Sequence, residues 1–453
     1  MHLPPFPAFR DGPQGSGPRS GLRLLEIALA AASLCLLAWH TYLIPKAYTD
    51  SWAPMAVALQ VLKQPGTDGL YEAVFFSMGI KFQYPPSALL YLDVLKLAGL
   101  TTSLALNALN WLLLILNAGL VGIVGVRLFS APQFNPYRRL ISLLAFACAL
   151  AYGPIAVGFN VGQIQIFLNL LFTLTCLALI SRHTAVAGAL MGAATAIKPQ
   201  FGILLLQAAL RRHWTFVLGF CLCACALGLL SIGFYGWSNH IEYFKVLRYL
   251  SERGETYAWN NSVNGILNRL LENGSSTGLA VSHGITQSML PPYHPVVYWT
   301  TLATTGLLIL LPLVLAGVLP REPAGGARGL LLFAVGAVCS VIASPIAWIH
   351  HYGILLPIYL ISLAALLELP HSAKRRLLLG LLVVSFGLTA ARYPFFASLR
   401  GLLTLVHAPT FFGACLLLGI LLMQLLERAA TKQLAGAAPA ALPSLSAPPL
   451  KVM

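Results

Sequence analysis

The side chains in this sequence that can do ionic or acid-base chemistry stand where apolar runs end or break. Asp50 lies in Tyr48-Thr49-Asp50-Ser51-Trp52, just past an apolar run from Leu24 to Ile44. A carboxylate at such a boundary can take the proton from an attacking hydroxyl, a contribution of about 10²–10⁴ in rate. Asp is equally a favoured N-cap for the helix that follows. Lys198 interrupts another run in Ala196-Ile197-Lys198-Pro199-Gln200. A cation inside a bilayer costs about 2.5–3.5 kcal/mol on insertion scales, so it calls for an anion. A lipid phosphate at about 4 Å would return roughly 4 kcal/mol. The alternative is a lysine that snorkels to the interface beside a proline break. His350 and His351 end Ser344-Pro345-Ile346-Ala347-Trp348-Ile349-His350-His351-Tyr352. Paired imidazoles can donate hydrogen bonds to a phosphate and titrate near neutrality, or simply rest at an interface; a metal would need further ligands that no spacing fixes. The amides of Asn160 and Gln163, in Gly158-Phe159-Asn160-Val161-Gly162-Gln163, and of Asn260, in Asn260-Asn261-Ser262, suit a hydroxyl-rich ligand. Helix caps and turns use the same residue types.

The elements that must position these residues are membrane helices. Of 453 residues, 58% are hydrophobic and 9% charged, against about 25% charged in a soluble domain. The mean hydropathy is +0.79. Spanning runs recur, such as Leu104 to Val126, Trp214 to Tyr235, Val296 to Leu319, Leu377 to Ala391 and Leu402 to Leu426. About twelve candidate spans can be counted on length alone. The expected architecture is an all-α polytopic bundle. A net charge of +15 resides largely in short segments between runs, where it sets orientation. No soluble basic domain exists to hold nucleic acid. Cys221, Cys223 and Cys225 alternate within one run, so a closed metal site would turn thiolates toward lipid. They read as small core residues, no pair of cysteines is placed for a disulfide, and neither metal nor cofactor is expected.

Residues 1–21 carry Pro, Gly and Arg without an apolar core and are expected to form a disordered cytoplasmic N-terminus, with the span after them retained. Residues 22–428 form the transmembrane domain, and 429–453 an Ala/Pro/Ser/Leu tail, disordered and cytoplasmic. Within the domain, 45–83 is too polar to span and is expected to lie on the outer surface as one or two helices. Trp52, Met55, Ala56, Leu59 and Leu62 keep helical spacing there, with Gln60 and Lys63 opposite. A second outer segment covers 236–295. The positive-inside rule draws Arg127/Arg138/Arg139, Arg182, Arg211/Arg212, Arg321/Arg328, Lys374/Arg375/Arg376 and Arg428/Lys432 to the cytoplasm. Simple alternation of every run cannot satisfy all of these at once. The expected resolution is that Tyr84 to Leu97 is too short to span and that Lys198-Pro199 splits Ala185 to Leu210 into two pieces. No internal repeat is found, which counts against many secondary-transporter folds.

Asp50, Leu70-Tyr71, Phe82-Gln83-Tyr84-Pro85-Pro86, Asn160-Val161-Gly162-Gln163, Ile197-Lys198-Pro199, Asn260-Asn261-Ser262 and Ser344-Pro345 through His350-His351 together resemble glycosyltransferase family 87. The likeness runs from about residue 22 to about residue 370 of the chain. The resemblance implies a GT-C-type membrane enzyme, with polyprenyl-phosphate-mannose-dependent α-1,2-mannosyltransferases among its members. It implies a polyprenyl-phosphate-linked sugar donor, a lipid or glycan acceptor, and an active site on the extracytoplasmic side of a bacterial plasma membrane. Residue by residue, it implies Asp50 as general base and Lys198, His350 and His351 around the donor phosphate, with Tyr84, Asn160, Gln163 and Asn260 as pocket residues. The sequence departs from the family pattern at Asn261, where Gln is common, and at Ala347, where Ser is common. The rival class is a flippase or transporter of lipid-linked sugars, which would use the same basic and amide residues but has no use for a base at the outer rim.

Overall fold

The computed structural model describes residues 17–44, 51–64, 69–274, 290–391 and 399–437. The described residues are helical, with no strand beyond an isolated pairing of Asn260 with Trp348. Up to the segment 236–295 the chain forms α1 (Gly17–Tyr42), α2 (Trp52–Leu62), α3 (Leu89–Leu97), α4 (Ser103–Leu128), α5 (Arg138–Ala151), α6 (Gly153–Asn160), α7 (Gln165–Ile180), α8 (Thr184–Ile197), α9 (Gly202–Leu210) and α10 (Trp214–Tyr235). That segment holds α11 (Trp237–Arg253) and α12 (Val263–Leu270). Then follow α13 (Pro295–Val318), α14 (Ala327–Ile342), α15 (Leu355–Leu367), α16 (Ala373–Ala390) and α17 (Pro409–Ala437). The first helix thus starts before residue 21, with Pro18 in its opening turn where proline is tolerated, and the last continues past 428.

Six stretches among the described residues are long and apolar enough to cross a membrane: α1, α4, α10, α13, Ile349–Leu367 and α17. The pair α5 and α6, bent by 49° at Tyr152-Gly153, would add a seventh. Several runs behind the count of about twelve are short helices: α3 has 9 residues, α8 has 14 and α9 has 9. At 1.5 Å per residue they reach about 14, 21 and 14 Å, well under a hydrocarbon core of about 30 Å.

The break at Lys198 follows from the next residue. Proline has no N–H to continue a helix and disfavours the helical conformation in the residue before it; Lys198 accordingly adopts φ −132°, ψ 99°. Beyond it α9 turns back. Arg211, after α9, donates to the carbonyls of Leu319 (2.6 Å) and Pro320 (2.7 Å), and the Arg182 side chain, before α8, lies beside Gly325. Both feet of the α8–α9 hairpin therefore meet the 319–325 segment, and Lys198 is its tip. Gly188 and Gly192 hold α8 tightly on α10, since a Cβ at 188 would come within 2.0 Å of the Phe216 carbonyl oxygen. This is close packing of the kind small residues permit between membrane helices.

The basic clusters gather where those feet lie. Arg328 pairs with Glu322 (3.1 Å) and donates to the Arg428 carbonyl (3.0 Å), Arg428 pairs with Glu368 (2.5 Å), and Lys374 pairs with Glu427. The segments 51–83 and 236–270 pack together at the other end. Helix α2 buries Trp52, Met55, Ala58, Leu59 and Val61 and leaves Gln60 and Lys63 exposed, the amphipathic spacing expected of it.

Glu242 of α11 joins these two segments. Its carboxylate accepts hydrogen bonds from the backbone N–H groups of Tyr71 and Glu72, both at 3.0 Å, at the start of the π-helical turn Glu72–Ser77. Gly69 makes the approach possible: its φ is +75°, and a Cβ there would stand 2.3 Å from Glu242 Oε1. Glu242→Ala leaves both N–H groups without this acceptor. It is expected to destabilise the protein by about 2–4 kcal/mol, read as a fall in the melting midpoint of the purified protein in nanodiscs.

Candidate functional site

The α8–α9 tip meets the segments 51–83 and 236–270 around a cavity of about 490 Å³. Its polar wall holds Lys81, Gln83, Tyr84, Gln163, Lys198, His350 and His351, and its apolar wall includes Ile203, Leu206, Leu247, Leu250 and Ile309. Leu206, Leu247 and Ile309 are 52%, 38% and 39% exposed, so this wall continues onto the outside of the bundle between α9, α11 and α13. Five of the sequence-expected site residues come together here: Tyr84, Gln163, Lys198, His350 and His351. Asn160 and Asn260 do not line the cavity, and Asp50 lies outside the described residues.

Lys198 is buried and donates to Gln165 Oε1 at 2.7 Å, while the Gln165 amide donates to Asn169 Oδ1 at 3.0 Å. No carboxylate pairs with Lys198 among the described residues. The expected need for an anion is thus not met from within the described chain. The histidines occupy the 3₁₀ turn Ile349–Ile354, with rings edge-to-face at 4.5 Å, and His350 lies edge-on to Trp348 at 5.5 Å. Their Nδ1 atoms are buried without hydrogen-bond partners among the described residues. Gly158 lets α6 back this turn, since a Cβ there would sit 3.3 Å from His350 Cβ. Both Lys198 and Lys81 act electrostatically on the histidine pair.

Gln163 anchors the other side. Its Oε1 accepts from Ser51 Oγ (2.6 Å) and Tyr84 Oη (3.0 Å), and Ser51 Oγ accepts from the Ile164 N–H (3.0 Å). Ser51 fills the N-cap position of α2, yet its hydroxyl makes no capping bond; it is tied instead to the cavity wall. Asp50 is its neighbour in the chain. On α11, the Tyr243 hydroxyl donates to the Gln83 carbonyl at 3.3 Å. Burial, with a smaller contribution from Tyr84, holds the Tyr243 phenol well above its ordinary pKa, so it stays a neutral donor.

Asn260 is fully buried, and its amide is a brace rather than a wall. Its Nδ2 donates to the carbonyls of Glu255 (2.9 Å) and Pro345 (3.1 Å), and its Oδ1 accepts from the Ala347 N–H (2.9 Å). Next to it, the Asn261 N–H donates to the Ala347 carbonyl at 2.8 Å, so the two positions that depart from the family pattern meet each other. Asn160, at the end of α6, has a buried Oδ1 without a partner among the described residues. Asn260→Asp, which cannot donate, is expected to be nearly as damaging as Asn260→Ala. Each should loosen residues 344–351 by about 2–3 kcal/mol, measured as faster amide hydrogen exchange in that segment.

Three residues were not singled out from sequence as parts of the site. Lys81 pairs with the fully buried Glu255, Glu255 Oε2 accepts from Trp348 Nε1 at 2.8 Å, and the Lys81 ammonium lies 4.3 Å from the Trp348 ring centroid. The available signal was the scarcity of carboxylates: 13 Asp and Glu in 453 residues, with Glu255 standing just before the Asn260 motif.

A model of glycosyltransferase family 87 matches residues 82–345. That stretch takes in Tyr84, Asn160, Gln163, Lys198 and Asn260. It is narrower than the likeness drawn from sequence and leaves out Asp50 and the histidine pair. No curated protein and no solved structure matches the chain.

Proposed function

Because the chain belongs to glycosyltransferase family 87, we propose that this membrane glycosyltransferase moves mannose from a polyprenyl-phosphate carrier to a hydroxyl of a lipid or glycan acceptor, within a GT-C-type bundle. The observation that carries this reading is the composition of the cavity. A buried lysine without an acidic partner among the described residues, the buried imidazole of His350 and the half-buried one of His351 face a wall of leucines and isoleucines that reaches the outside of the bundle. A phosphate joined to an isoprenoid chain needs that combination. The side of the membrane follows from charge: the positive-inside rule sets the Arg211, Arg328, Lys374 and Arg428 end in the cytoplasm, and the cavity then opens extracytoplasmically.

In the proposed mechanism Asp50 takes the proton of the acceptor hydroxyl as its oxygen attacks the anomeric carbon of a β-linked donor. The bond from that carbon to the phosphate oxygen breaks on the opposite face, and the product is α-linked. The leaving phosphate stays with Lys198, which balances the charge it carries from the start, and with His350 and His351, which donate to the charge it gains. Incubating the purified protein with radiolabelled polyprenyl-phosphate-mannose and candidate lipid acceptors tests the reading. Label in a new acceptor-linked product is expected. Movement of the intact labelled donor across a vesicle bilayer without transfer would instead favour a flippase.

A further inference from the structure

The cavity holds two lysines in different electrostatic circumstances. Lys198 has a neutral partner, Gln165, whereas Lys81 is neutralised by Glu255. A polyprenyl-phosphate sugar carries a single negative charge, which Lys198 alone balances. The Lys81–Glu255 pair adds no net charge, so its contribution must be something other than attracting the phosphate. Lys81 and Trp348 stand on the cavity wall, while Glu255, fully buried, stands behind it and holds both.

The unit is built rigidly. The Glu255 N–H donates to Asn264 Oδ1 (3.2 Å), the Glu255 carbonyl accepts from Asn260 Nδ2 (2.9 Å), and Trp348 also packs on Tyr257 with centroids 5.5 Å apart. Gly254, just before Glu255, has φ +69° and passes so close to Asn264 that a Cβ there would stand 1.6 Å from its Oδ1. What this unit presents to the cavity is an ammonium, one of its N–H groups held by Glu255, seated over an aromatic ring whose face attracts cations and whose body is apolar. A neutral ring carrying hydroxyls on one side and C–H groups on the other suits such a pair.

Building on the proposed function, we infer that Lys81 and Trp348 form the subsite that grips the donor's sugar ring, apart from the grip of Lys198 on its phosphate, and that Glu255 is the residue positioning them. Glu255→Gln keeps an acceptor for Trp348 Nε1 but releases Lys81. Lys81→Met alone would leave a buried carboxylate unpaired, so the double variant Lys81→Met/Glu255→Gln, with both charges removed, guards against misfolding.

The test is binding of a short-chain polyprenyl phosphate, with and without β-linked mannose, to the protein in nanodiscs. The wild type is expected to prefer the mannosylated form by about tenfold, the worth of one or two hydrogen bonds. The double variant should bind the bare carrier as the wild type does and lose most of that preference; Glu255→Gln, which leaves the Lys81 charge unbalanced, should bind both forms more tightly while losing the same preference. Lys198→Met should weaken both forms alike. Full sugar preference in the folded double variant, or no preference in the wild type, would overturn the subsite. Wild type that binds neither carrier would overturn the proposed donor class, and the subsite with it.

Discussion

Asp50→Asn is expected to lower transfer by about 10²–10⁴-fold, the usual contribution of a general base, with donor binding and folding nearly unchanged. Asn has the shape of Asp and caps helices about as well, so a purely structural role survives the substitution. The cap position of α2 is in any case Ser51, one residue further on. That serine is bonded to Gln163 and to the Ile164 N–H, which ties this stretch of chain to the cavity by its own side chain. What Asn lacks is basicity. Turnover of the acceptor and binding of the donor, measured in parallel, separate the two roles: loss of the first with retention of the second is expected, and wild-type turnover would remove Asp50 from the mechanism.

Lys198→Met is expected to raise the donor KM by about 10–100-fold with a much smaller change in kcat. A hydrogen bond to a charged group contributes about 1.5–3 kcal/mol, and the phosphate carries its charge in both the ground state and the transition state. An interaction of equal strength in both appears in KM. Stability should not fall. Among the described residues the buried lysine has only a neutral amide for a partner, and replacing it with an apolar side chain of similar length removes the cost of desolvating its charge. Weaker donor use with undiminished stability marks a residue held for its ligand. An unchanged KM would mean that Lys198 is merely a snorkelling lysine.

Local rules made part of this legible beforehand. A lysine before a proline in an apolar run signals both a break and a functional cation, and Lys198 is the tip of a hairpin facing the cavity. The spacing of Trp52, Met55 and Leu59 is enough to read α2 as a helix with one buried face. The positive-inside rule required Arg211, Arg328, Lys374 and Arg428 to share a side, and they gather at one end of the bundle. Apolar length, however, does not distinguish a crossing from half of a hairpin, so α8 and α9 read as spanning material.

Long-range pairing was also hidden. Asn260 looked like a ligand-binding amide because its partners, Pro345 and Ala347, lie 85 and 87 residues further along. The bond from Trp348 to Glu255 closes a separation of 93 residues. Nothing in the spacing of either segment announces that they meet, and only the folded chain shows that Asn260 braces the loop on which Trp348 and the histidines stand.

The most direct measurement is the structure, by electron cryomicroscopy in nanodiscs, of the protein with a non-transferable polyprenyl-phosphate-mannose analogue. The account places the phosphate within hydrogen-bond distance of Lys198 Nζ and of at least one imidazole of His350 and His351, with the isoprenoid chain leaving past Leu206, Leu247 and Ile309. A phosphate bound away from Lys198 and both histidines, or a donor seated outside this cavity, would contradict it.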